Sequence, residues 1–174
     1  GLHPGYCLPI TLDVGTDKAA IVTMDLGRGP TAAMMEVIRA AVAEKAGVSH
    51  VVISGSHTHH GPVIELIDEP GKGQGTFQAA VDYSKALPGI LIDAIVEASA
   101  NVQDARVGWA SKDVDMNRNR QSKIEPKPRD AELTVVRFDD NAGKPLAVLV
   151  NFAAHPTIIP GEDLRFSAEW PGQM

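Results

Sequence analysis

Apolar and polar positions along the chain predict about six strands and two long helices. Residues 7–13 (Cys-Leu-Pro-Ile-Thr-Leu-Asp) read as extended, and residues 19–25 (Ala-Ala-Ile-Val-Thr-Met-Asp) are β-branched and apolar, like a buried strand. Val14-Gly15-Thr16-Asp17 between them is turn chemistry, so the pair predicts a hairpin. A helix follows. Thr31 is placed to cap it, Met34, Met35, Ile38, Ala41 and Val42 form one apolar stripe, and Gly47 is placed to stop it. With Val51-Val52-Ile53 as the next strand, residues 19–53 read as strand–helix–strand.

Residues 61–75 hold two prolines and four glycines and predict a loop. Thr76 to about Ala100 predicts a second helix, with Phe77, Val81, Leu91, Ile92, Ile95 and Val96 on its buried side and a kink or break at Pro88-Gly89. Residues 105–110, 132–138 and 146–151 predict strands, the last two joined as a hairpin across Asp139–Lys144. Residues 121–129, with two prolines and mixed charge, read as an exposed connector. The expected fold class is α/β: a mixed β-sheet, not a purely parallel one, flanked by helices and part of a larger catalytic domain.

Composition narrows the function. The chain has 174 residues and a formal net charge of −6, with 44% hydrophobic and 22% charged residues. That is enough apolar surface to exclude disorder, and the acidic balance argues against a nucleic-acid partner, which needs a basic face. No apolar run approaches the ~18 residues of a membrane span, so no transmembrane segment is expected. One cysteine, Cys7, excludes an internal disulfide framework and a cysteine-based zinc cluster. The chain opens on Gly1 and closes on Met174 just after Trp-Pro-Gly, which reads as a fragment, or as the ordered part, of a longer protein with part of its site elsewhere.

Four of the six histidines fall at predicted strand ends. Ser54-Gly55-Ser56-His57-Thr58-His59-His60-Gly61-Pro62 follows one strand, and Asn151-Phe152-Ala153-Ala154-His155-Pro156-Thr157 follows another. Ligands in open α/β sheets bind beyond strand ends. Alternate residues of an extended segment share a side, so His57 and His59 can address one cavity. Imidazole is a common zinc ligand, and His155 would complete a three-point site. The alternative is a set of ordinary surface histidines.

Other patterns are weaker. There is no His-Glu-x-x-His, no G-x-S-x-G elbow and no phosphate loop, so Gly71–Gly75 reads as a flexible lid or connector. Met116-Asn117-Arg118-Asn119-Arg120 can supply an arginine fork for negative charge, or can be a solvated basic turn. Glu65, Asp68 and Glu69 are possible carboxylate ligands but read better as a solvated acidic loop. Trp109 and Trp170 read as packing, and Glu169 reads either as support behind the site or as ordinary structure.

Together these motifs resemble the neutral/alkaline (non-lysosomal) ceramidase family: Ser-His-Thr-His-x-Gly-Pro at 56–62, Asn-Arg at 117–118, Asn-Phe-Ala-x-His-Pro-Thr at 151–157 and Ser-Ala-Glu-Trp-Pro-Gly at 167–172. The stretch before Met24-Asp25-Leu26 is similar too, so the likeness runs from about residue 6 to residue 172. The resemblance implies a zinc amidase that splits ceramide into sphingosine and a fatty acid, with residues 1–174 as the N-terminal portion of its catalytic domain. It implies His57 and His155 as zinc ligands, His59 lining the substrate site and Arg118 contacting the substrate. It also implies a lipid-like N-acyl amide as partner and, by family habit, a secreted or periplasmic setting. The family's remaining ligands, a glutamate and a tyrosine, and its catalytic serine match no segment here. His60 stands where the family often has Ser, Ala154 where Cys is common, and Glu169-Trp170 where an Asp-aromatic pair is frequent. Two alternatives stay open: a metal hydrolase acting on another ester or amide, and a non-catalytic metal-binding relic of the fold.

Overall fold

A two-residue loop, Gly15-Thr16, joins β1 (Cys7–Val14) to β2 (Asp17–Met24) as the predicted antiparallel hairpin. Gly15, at φ 68, occupies the first loop position, where a II′-type turn needs glycine. The computed structural model describes residues 7–66 and 77–174. The chain divides into two units: one runs to Val102 and resumes at Pro156, and the other is Gln103–His155.

In the first unit, β2 leads into α1 (Ala32–Ala46) and back to β3 (His50–Gly55), which pairs parallel to β2. Both ends of α1 are written in the sequence. Thr31 Oγ1 accepts the Met34 N–H at 3.3 Å, and Gly47 leaves the helix in the left-handed conformation at φ 67. The sheet order is β1-β2-β3, so this sheet is mixed, as expected. α2 (Gln78–Ala100) packs on α1 and β1. Val22, Met24, Leu26, Ile38, Val42, Leu87, Leu91 and Ile95 form the centre of the core.

Four expectations for this region are corrected. α2 begins at Gln78, Phe77 is 66% exposed rather than buried, and Pro88 does not split the helix. Proline inside a helix costs about 3 kcal/mol. Leu87, Leu91, Ile92 and Ile95 around it are all buried, and each such side chain contributes about 1.5–3 kcal/mol, so packing wins. One turn earlier, the buried Ser84 hydroxyl donates to the Ala80 carbonyl and accepts the Glu65 N–H. Glu65 is therefore part of the packed interior and not a solvated acidic loop. Asp68, Glu69 and Gly71–Gly75 lie outside the described residues.

Burial pushes the Cys7 thiol up to about 11. The folded pKa exceeds the ordinary ~8.5, so its stabilising contribution is full below that value and is lost as pH rises toward about 11. At pH 8 a disulfide-exchange reagent is expected to label Cys7 about 100-fold more slowly than free cysteine, because so little thiolate is present. Labelling at the free-cysteine rate would contradict this burial.

The second unit is an antiparallel sheet of β4 (Arg106–Asp113), β5 (Glu132–Asp139) and β6 (Pro145–Phe152), in that order. The predicted strands are present, but the six divide between two sheets. β5 and β6 form the expected hairpin, with an irregularity at Phe138/Asp139. Residues 121–129 are an exposed connector, as read from sequence. Trp109, in register with Val136, is 74% exposed, which corrects its reading as a packing residue.

Candidate metal centre

The parallel strands β2 and β3 end side by side, Met24 opposite Gly55. Beyond them the two chains stay in contact. Ser56 N–H donates to Met24 O (2.8 Å) and His57 N–H to Leu26 O (3.0 Å). Glycine makes this approach possible. A Cβ on Gly55 would lie 2.7 Å from Leu26 O, and one on Gly61 would lie 2.5 Å from Asp25 O. Burial raises the Asp25 carboxyl above its usual range, and the Ser56 hydroxyl acts against that shift.

This contact fixes His57. Its backbone is left-handed at φ 65, and its Nδ1 lies 2.5 Å from Gly27 O. A carbonyl only accepts, so Nδ1 carries the proton, and in the neutral ring the lone pair sits on Nε2. Metal-ligating histidines are oriented in this way. His57 and His59 are exposed, while Thr58 and His60 between and beyond them are buried. The expected same-side display therefore holds, although β3 ends at Gly55 and the segment is not a strand. The two rings meet edge to face with centroids 5.2 Å apart, and their ligand nitrogens lie within 4.8 Å.

His155 and Arg118 belong to the second unit. His155 is its last residue, and Nδ1 accepts from Arg120 Nη2 at 3.1 Å. Arg118 is exposed and lines a cavity of about 550 Å³ of mixed charge, with Arg120, Lys127 and Arg129 beside Asp115 and Glu125 and with Asn117 and Asn119. Asn117 has a structural task that the sequence did not signal. Its buried amide donates to the carbonyls of Asp130 and Ala153, tying the connector to the chain just before His155.

No protein-family model matches the sequence, and no curated protein matches it. Solved structures do match. A ceramidase complexed with C2 aligns with a TM-score of 0.70 at 20% identity, covering 93% of this chain and 27% of that one. A neutral ceramidase from Pseudomonas aeruginosa aligns at 0.68 and 21%, covering 87% of this chain and 26% of that one. The fold is ceramidase-like. The chain spans about a quarter of the length of the structures that it matches.

Within this ceramidase-like fold, residues 60 and 169, both singled out in the sequence reading, touch each other. His60 Nδ1 lies 2.9 Å from Glu169 Oε1, and both side chains are buried. Glu169 Oε2 also accepts the N–H groups of Ile158 (2.6 Å) and Ile159 (3.3 Å). Burial pushes the Glu169 carboxyl up, but the Ile158 N–H, His60 and the Ile159 N–H together outweigh it and hold it below the usual range. Trp170, half-buried, opens a short 3₁₀ turn over Trp170–Gln173. Among the described residues no helix is long and apolar enough to cross a membrane.

Proposed function

We propose that the protein is part of a zinc-dependent amide hydrolase that cleaves the N-acyl bond of ceramide or a related N-acyl lipid. The observation that carries this reading is the His57–His59 pair at the end of β3 in a ceramidase-like fold, with His57 Nδ1 committed to a backbone carbonyl. A neutral imidazole so held suits zinc, whose nitrogen ligands lie at about 2.0–2.1 Å.

His57 and His155 would hold the ion. His155 takes part once Arg120 gives up its Nδ1 or the ring turns its other nitrogen, since a guanidinium only donates. When bound, zinc acts as a Lewis acid, polarising the amide carbonyl and lowering the pKa of a water toward ~7. His59 passes a proton or holds the carbonyl oxygen, and Arg118 stabilises the negative charge that develops.

Two histidines leave the site one protein ligand short of the three that catalytic zinc generally uses. The 174-residue chain alone is therefore expected to hydrolyse N-acyl amides slowly or not at all. A longer chain carrying a further ligand should be active, contain about one zinc and lose activity to a chelator. Hydrolysis that survives complete removal of metal would overturn the reading.

A further inference from the structure

We propose that His60 and Glu169 are a positioning pair that holds the His57–His59 segment in its ligating shape, an inference that rests on the zinc reading above. Neither residue is assigned to the ion. The Glu169 side chain is 0% exposed and that of His60 6%. A carboxylate is seldom withdrawn from water so completely unless partners hold it, and here His60, Ile158 and Ile159 face it.

Backbone geometry supplies a second, independent observation. Two non-glycine residues among those described adopt left-handed φ: His57 at 65° and Glu169 at 55°. Such conformations persist only where the surroundings over-determine them, and they gather at functional sites. One hydrogen-bond network joins the two segments. His60 N–H donates to Thr58 Oγ1 (3.1 Å), and the Thr58 hydroxyl donates to Ser167 O (2.7 Å). Ser167 N–H donates to His60 O (2.9 Å), and Glu169 N–H donates to Ser167 Oγ (3.0 Å). Thr58 and His60 point inward while His57 and His59 point outward, so whatever fixes the inner pair fixes the aim of the outer pair.

The test compares His60→Ala with His60→Asn, whose amide N–H can take the place of Nδ1. Zinc affinity is read by competition with a chromophoric chelator. The His57 tautomer is read from ring ¹⁵N shifts of the zinc-free chain. His60→Ala is expected to weaken zinc binding about 10–100-fold and to release the fixed Nδ1–H tautomer of His57, while His60→Asn stays close to the parent in both. If His60→Ala does not fold, Glu169→Gln, which keeps the shape and removes the charge, is read in the same way. Folded variants with unchanged zinc affinity and an unchanged His57 tautomer would overturn the proposal. If a longer chain carrying the further ligand also binds no zinc, the functional reading fails, and the tautomer comparison still decides whether the pair positions His57.

Discussion

Zinc affinity is expected to fall by more than about 100-fold when His57 becomes alanine, a larger loss than the 10–100-fold typical of residues behind a ligand. The reason is the degree to which this ring is prepared. Its Nδ1 is bonded to Gly27 O, its backbone is held by Leu26 O, and its neighbour His59 stands edge to face with it. His155→Ala should act in the same direction. Titration of each purified variant with zinc, beside circular dichroism to show that it is folded, measures the effect. A His57→Ala chain that binds zinc as its parent does would remove the metal site.

Stability should respond most sharply at Gly61. An alanine Cβ there would sit 2.5 Å from Asp25 O and 3.2 Å from Thr58 Cγ2, and backbone cannot move aside as the end of a long side chain can. Gly61→Ala is expected to cost about 2–4 kcal/mol, lowering Tm by roughly 5–10 °C in a chain of this size. Gly89, within α2, meets nothing within 4 Å and is the control. Gly89→Ala should be neutral or stabilise by about 0.5–1 kcal/mol. Equal melting points for the two variants would show that the close approach of the two strand ends does not constrain the chain.

Local signals were legible in the sequence where local physics decides. The Gly15 turn, the Thr31 cap, the Gly47 stop and the β5–β6 hairpin each follow from a few adjacent residues. The fold class was legible from strand–helix–strand order, and the resemblance from motif order. What failed depends on distant partners. Periodicity identifies strands but not their neighbours, so the division into two sheets was not visible. Pro88 signals a break, and only the packing of Leu91 and Ile95 shows why none occurs. Glu65 looks like a loop carboxylate until Ser84 meets its backbone. In the candidate site, same-side display of His57 and His59 was readable from spacing. The contact between His60 and Glu169 was not, because 109 residues separate them. The sequence marked each as a departure from a pattern without showing that the two departures meet.

Left-handed backbone at a histidine has an evolutionary consequence. A side chain there is held against a strain of about 1–2 kcal/mol that glycine would escape. Heat-resistance screens of randomised libraries would thus favour glycine at position 57 wherever the strain relieved exceeds the hydrogen bond to Gly27 O that the imidazole makes. With His57 as the proposed zinc ligand, durability and chemistry make opposite demands on this one codon, and keeping histidine there trades a softer protein for that proposed role.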